Sequence, residues 1–315
     1  MVTLEDIKEA QLGIKDFVHY TPILTSTQLD ELCGNKVFLK SEHLQKTGSF
    51  KIRGAANKVQ QAVKEGAKYI TAASSGNHGQ AVAYMANELG VPVTIVVPED
   101  ANAVKMAAIE AYNGKIVKCG TTSAERIPKA KEIAEQNDGV FIPPYDDPYI
   151  IAGQGTLGVE ILEQVPNADI IVVPVGGGGL ISGILTAVKQ LNPKIKVIGV
   201  EPDTADDTFL SLQTGKITAI PATLTIADGL RTSQPGDLTF PILKEYLDDL
   251  ILVSESEIKE AFQFIVERTK QVIEPSSAVT IAAILSGRLN VDGKNIVVVL
   301  SGGNVDLRQV NEFLV

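Results

Sequence analysis

The chain reads as an α/β protein built on mostly parallel sheets with helices on both faces, and three observations predict it. Short apolar runs such as YITAASS, VPVTIVVP and NIVVVLS alternate with segments of helical period along nearly all of the 315 residues. Runs that are apolar on both faces belong to parallel strands covered on each side by helices. Three runs also end in turns rich in glycine and polar residues, Ser74 to Gly79, Gly176 to Gly179 and Ser301 to Asn304. In open α/β sheets ligands collect at the carboxyl ends of strands, where all three turns fall.

Taken in order, residues 3–18 predict a surface helix with Thr3 and Asp6 as its cap. TPILTSTQLDELCG predicts a short extended piece and a helix closed by Gly34, and KVFLKSEH alternates as a strand. LQKTGSFKIRGAANKVQQAV opens a long helix from a polar turn. Four β units follow, YITAASS, VPVTIVVP, GKIVKCG and VFIPPYDDP, the first three each followed by a helix, the last of these around residues 124–136. A second series runs through helix GQGTLGVEILEQV, the tetraglycine unit, strand KVIGVE, residues 203–237, and a helix and strand ending in LILVS. Helices over 255–272 and 276–285 and strand NIVVVLS complete it. These two series predict a large domain, residues 1–68 plus 147–315, and a small domain, residues 69–146, with the ligand in the cleft between them.

Composition narrows the function. With 44% hydrophobic and 21% charged residues the chain is an ordinary globular protein, and its net charge of −10 argues against nucleic acid as a partner. The acidic start MVTLEDIKEA is unlike a secretory signal, and no apolar run is long enough to span a membrane. Cys33 and Cys119 have no metal-type spacing, so a reducing, cytoplasmic setting is expected. His19, His43 and His78 are isolated and make no zinc site by themselves.

The stretch IIVVPVGGGGLIS organises the rest. A buried strand ends in Gly176, Gly177, Gly178 and Gly179 before a helix begins, and four glycines serve neither element, where each costs about 0.5–1 kcal/mol relative to alanine. A turn without Cβ atoms at a helix start exposes backbone N–H groups suited to a phosphate. A dinucleotide site is the rival: Gly177-x-Gly179-x-x-Ser182 nearly fits the Rossmann fingerprint, with Glu201 at the distance of a ribose-binding acid. Its third glycine is missing, and the unit lies past mid-chain. Lys51, directly after Phe50 at the start of a helix, offers a different partner for a phosphate site. A lysine with a lowered pKa forms Schiff bases, which suits pyridoxal phosphate.

GSFKIRGA, SSGNHGQA, VPVGGGGL, TIADGL, IEPSSAV and LSGGNVDL, in this order, closely resemble the fold-type II pyridoxal-phosphate enzymes of the serine racemase and threonine dehydratase group. The resemblance covers nearly the whole chain and implies the two-domain fold shared with the tryptophan synthase β subunit. It implies that Lys51 holds the cofactor as a Schiff base and Phe50 packs on its ring. Gly176 to Gly179, with Leu180, would grip the phosphate, Asn77 the phenolic oxygen, and Ser301 the ring nitrogen. A hydroxyl at that nitrogen leaves the ring uncharged and favours elimination. Ser74, Ser75, Gly76, Asn77 and His78 would receive the substrate carboxylate, with Arg126 assisting.

The implied reaction is dehydration of L-serine or L-threonine to a keto acid and ammonia. Ser75, where plain threonine dehydratases carry alanine, adds serine racemisation; the structural alternative is that it caps a helix. A threo-3-hydroxyaspartate ammonia-lyase would share these residues, and a nucleotide-binding dehydrogenase is the alternative from another class. Glu201, the Ala205 carbonyl and Asp207 match the family's divalent-ion site, where oxygen ligands suit Mg²⁺, with Ca²⁺ or Mn²⁺ as alternatives. Ser26, Thr27, Lys46, Thr47, Gln80 and Tyr112 resemble contacts of a nucleotide effector, and a homodimer is the family expectation. Tyr145 departs from the racemase pattern.

Overall fold

The computed structural model describes residues 1–315. Ten strands form two sheets. Strands β1 (Ile23–Thr25), β2 (Lys36–Ser41), β7 (Ile170–Pro174), β8 (Lys196–Pro202), β9 (Asp249–Val253) and β10 (Asn295–Leu300) make one, in the order β1-β2-β10-β7-β8-β9. Strands β3 (Ile70–Ala73), β4 (Val93–Val97), β5 (Lys115–Lys118) and β6 (Val140–Phe141) make the other, in the order β5-β4-β3-β6. Every pairing is parallel except β1 with β2. The α/β architecture read from the apolar runs is the one observed.

Each face of the larger sheet carries its own apolar core. Val173, Val175, Val197 and Val299 pack under helices Pro148–Gln164 and Gly179–Leu191, while Val172, Val200 and Val298 meet helices Glu255–Phe264 and Pro275–Leu285. Alternation along a strand covered on both faces produces this split. A third core lies against the smaller sheet. It includes Ile52, Ala55, Ala56 and Val59 of helix Lys51–Lys64 together with Ile14 and Ile150, so the helix that begins at Lys51 belongs to the packing of both sheets.

The predicted boundaries need local correction. Thr3 and Asp6 form the expected capping box, but the first helix ends at Ile14. The helix read as GQGTLGVEILEQV begins earlier, at Pro148, because Asp147 caps the Tyr149 and Ile150 amides and proline is tolerated in a first turn. The helix expected over 255–272 ends at Phe264, and a π-turn, Ile265–Thr269, leads to Lys270 at φ +61°. No helix is long and apolar enough to cross a membrane.

Behind Lys51 lies a buried ionic network. Arg53, fully enclosed, donates to both carboxylate oxygens of Glu42 at 2.8 and 2.9 Å and to both of Glu160 at 2.6 and 2.9 Å. Lys40, also fully buried, donates to Glu160, Gln164 and the Thr21 carbonyl at 2.8, 2.8 and 2.9 Å. Two cations and two anions balance, and every donor of Lys40 is used. Removing one member of a buried network strands its partner, so Arg53→Met should lower unfolding stability by about 3–5 kcal/mol in urea titration. A loss below about 1 kcal/mol, the scale of an exposed pair, would contradict this.

Candidate active site

The three glycine-rich turns and the lysine motif meet at the carboxyl ends of β3, β7 and β10. Ser49 bridges Gly302, and the Phe50 amide donates to the Ser301 carbonyl at 3.0 Å, which seats the start of helix Lys51–Lys64 on the last turn. Asn304 ties in the first turn: its amide nitrogen donates to Asn77 Oδ1 at 2.8 Å and to the Thr47 carbonyl at 2.7 Å.

Lys51 is the first residue of its helix, and its Nζ donates to the Pro144 carbonyl at 2.8 Å and lies 5.2 Å from the centre of the Phe50 ring. Burial brings its pKa down to about 8, while the Glu274 carboxylate pulls it back up. Glu274 is itself buried, which pushes its pKa up to about 7, and the neighbouring Asp228 adds to the effect. His78 lies close enough for the Lys51 charge, after burial, to help bring its pKa down to about 3; it is neutral at any working pH.

The tetraglycine turn presents bare main chain. None of the backbone N–H groups from Gly176 to Ile181 has a hydrogen-bond partner. Gly178 adopts φ +88°, and a Cβ on Gly177 would sit 2.4 Å from the Tyr145 ring, so both positions require glycine. Leu180 is buried just beyond. Six free amides at a helix start suit a phosphate dianion, and with a partly desolvated amine nearby the residues present fit pyridoxal phosphate.

A second set of free amides belongs to Ser75, Asn77, His78 and Gly79, at the start of helix Asn77–Glu88. The cap reading of Ser75 does not hold. Gly76 occupies the cap position without a side-chain bond, Ser74 Oγ accepts from the Gly76 amide at 3.2 Å, and the Ser75 hydroxyl has no protein partner. The Asn77 side chain is engaged differently from the sequence expectation: its Nδ2 donates to both oxygens of Glu274, at 2.9 and 3.1 Å. A bond from Asn77 to a ligand therefore requires one of these contacts to yield. Ser301 is buried, with its Oγ 3.1 Å from Ser277 Oγ. Arg126 is not brought to the lysine: it lies in helix Ser123–Glu135, where its Nη2 donates to Ser123 Oγ at 3.2 Å and its Nε and Nη1 are buried and unpartnered.

Glu201 and Asp207 are both fully buried, and no cation accompanies them. Glu201 accepts from the Thr208 and Phe209 amides, at 3.2 and 3.0 Å, which engages it as a helix-start carboxylate and not as a ribose ligand. Burial raises the pKa of Glu201 well above the usual carboxylate range and that of Asp207 to about 7. The Ala205 carbonyl accepts no hydrogen bond. No cluster of three or more acidic, His or Cys side chains exists, so an ion here would rest on two carboxylates, this carbonyl and water.

The residues likened to effector contacts fall on four separate segments, and of them the Thr47 carbonyl is tied to the site through Asn304. Ser26 and Thr27 line a shallow groove with Arg268 and Gln271, Lys46 Nζ reaches the Asp16 carbonyl, and Gln80 and Thr47 are buried, the Thr47 hydroxyl without a partner. Tyr112 stacks edge-on against Tyr84. The sequence singles out neither Glu274, Pro144 nor the His78 imidazole, and Asn304 only as part of a turn; an acid directly before the proline that starts helix Pro275–Leu285 is the available signal for Glu274.

The family model described as "Pyridoxal-phosphate dependent enzyme" matches residues 14–302. A serine racemase from Dictyostelium discoideum is 48% identical, over 99% of this chain and 98% of that protein. An L-threonine ammonia-lyase from Thermotoga maritima is 44% identical, over 100% of this chain and 78% of that protein. The structure of maize serine racemase superposes with a TM-score of 0.95 at 41% identity, covering 99% of this chain and 96% of that one. The dinucleotide reading of the tetraglycine turn is thereby set aside.

Removing the negative charge at Glu274 takes away the one group that favours the Lys51 ammonium, so Glu274→Gln should move the pH at which the amine becomes reactive downward from about 8. The pH dependence of imine formation with added pyridoxal phosphate measures this, and an upward shift would contradict the arrangement.

Proposed function

Because the chain belongs to the pyridoxal-phosphate dependent enzymes, we propose that it dehydrates L-serine or L-threonine to the keto acid and ammonia and also racemises serine. The observation that carries this reading is a lysine amine with its pKa near 8, set beside two separate groups of unpartnered backbone amides. The cofactor, when bound, supplies the electron sink that weakens the bonds at Cα. Everything else falls to the chain.

The free amides of Gly176 to Ile181 would hold the phosphate, and Phe50, its ring centre 5.2 Å from the Lys51 amine, would pack on the cofactor ring. Ser301 would offer the ring nitrogen a hydroxyl, a weaker partner than a carboxylate, which favours elimination. The free amides of Ser75, Asn77, His78 and Gly79 would bind the substrate carboxylate, with Arg126, whose Nε and Nη1 have no partner, as the assisting cation. Lys51, once released from covalent attachment, takes the Cα proton on one face; an amine with a pKa of about 8 is neutral in a useful fraction near neutral pH. Ser75, whose hydroxyl caps nothing, returns a proton from the opposite face. In the dehydration the proton taken from Cα balances the one delivered to the β-hydroxyl, which leaves as water, and a second water then adds at the nitrogen-bearing carbon and releases ammonia.

The same proposal places Mg²⁺, Ca²⁺ or Mn²⁺ on Glu201, the Ala205 carbonyl and Asp207, because two buried carboxylates without a counter-ion call for one. A cytoplasmic homodimer, with a nucleotide effector at the groove beside Ser26 and Thr27, is carried over from the family resemblance, and the cysteines are both free.

Product analysis with L-serine, L-threonine and L-threo-3-hydroxyaspartate tests the reading. Pyruvate and 2-oxobutanoate should form from the first two, with D-serine as a second product from serine. Ser75→Ala should keep pyruvate formation while D-serine falls at least about tenfold. Turnover confined to the hydroxyaspartate would replace this substrate assignment. Stripping divalent ions with a chelator should lower the melting temperature, and re-adding Mg²⁺ should restore it; an unchanged melting curve after verified metal removal would sink the ion site.

A further inference from the structure

One short connector links the lysine, the tetraglycine cradle and the helix that begins at Asn77. Residues 142–147 lead from β6 to helix Pro148–Gln164. The Ile142 amide donates to the Thr71 carbonyl at 2.7 Å, the Pro144 carbonyl accepts from Lys51 Nζ, and the Tyr145 ring lies against Gly177 and Gly179 of the cradle. Asp146 accepts from the Asp237 and Leu238 amides at 3.0 and 2.8 Å, and Asp147 pairs with Lys58 of the lysine's own helix at 2.8 Å. Two consecutive prolines, Pro143 and Pro144, fix φ and supply no N–H, so the connector behaves as a stiff strap whose register is set at its ends.

The remaining contact is made by His78, the second residue of the helix whose start offers free amides for the substrate carboxylate. Its imidazole is 3% exposed, and Nε2 lies 2.9 Å from the Ile142 carbonyl. A carbonyl only accepts, so Nε2 carries the hydrogen and Nδ1, which has no partner, is the bare nitrogen. A single residue, Pro143, separates Ile142 from the carbonyl that meets Lys51.

We propose that His78 is a positioning residue for Lys51: its Nε2–H holds the Ile142 carbonyl, and through residues 142–144 fixes the Pro144 carbonyl that orients the amine. The helix that receives the substrate carboxylate is thereby tied mechanically to the group that moves the Cα proton. This inference rests on the functional reading above. The titratable groups facing the amine, Glu274 and the neutral His78, are both accounted for, so the link is one of geometry and not of charge.

His78→Leu removes the donor, and His78→Gln replaces it with an amide N–H on a side chain able to reach a carbonyl. With folding checked by circular dichroism, the leucine variant should form the Lys51 imine with pyridoxal phosphate about tenfold to a hundredfold more slowly, and kcat for L-serine or L-threonine should fall by a similar factor with KM changed less than about threefold. The glutamine variant should recover most of both rates. A purely structural role would lower the melting temperature while leaving both rates intact well below it. A folded leucine variant with wild-type imine formation and kcat overturns the proposal. So does ¹⁵N NMR of the wild-type protein showing the proton on Nδ1 of His78, a result independent of whether any variant folds. Wild-type protein that forms no imine would instead remove the functional reading and this inference with it.

Discussion

The candidate site depends first on the ion network around Arg53. Two residues after Lys51, its guanidinium is buried and held by the carboxylates of Glu42 and Glu160, with Lys40 closing the charge balance. Glu42 and Lys40 come from the larger sheet and its following turn, and Glu160 from the long helix after the strap, so three parts of the fold converge on one side chain. Such a network gains little net stability over apolar packing, because desolvating four charges costs nearly what their attraction returns. Its consequence is specificity of placement. A helix start fixed this way leaves Lys51 pointing to the opposite side, toward Pro144, with its amine drawn out of water but paired to no carboxylate.

Main chain does much of the binding work. Both groups of free amides lie at helix starts, and both are kept open by what surrounds them: Tyr145 against Gly177, and the Ser74 carbonyl 2.0 Å from where a Cβ on Gly79 would stand. Glycine at these positions satisfies close approach as well as ligand access. The site also handles charge economically. Glu274, shared between the two side-chain protons of Asn77 and the field of Lys51, sits where its ionisation tunes the amine while Asp228 restrains that ionisation. Stabilising an amine near neutrality by burial, with one distant acid to offset it, needs no second cation.

Much of this was legible in the sequence, for identifiable reasons. Continuous apolar runs alternating with helical segments point to the strands and the parallel sheets, and the tetraglycine turn can be assigned a phosphate because glycine has no local use there. The lysine emerged once an aromatic neighbour and a polar turn stood with it. The partners of these residues were not legible. Glu274 lies 197 residues from Asn77 and Pro144 lies 93 from Lys51, separations that no spacing rule bridges. For Ser75 a helix cap stands as the structural alternative in the sequence, and only the backbone at Gly76 decides that it is none. His78 was visible as part of a motif, yet its imidazole faces away from the amides and into the strap, a direction set by packing and not by local sequence.

The account turns on covalent attachment at one position. Adding pyridoxal phosphate, reducing with borohydride and mapping the product by peptide mass spectrometry reads that position directly. The pyridoxyl group should be found on Lys51 and be absent from the Lys51→Ala protein. An adduct spread over other lysines, or none at position 51, would contradict the account at its base.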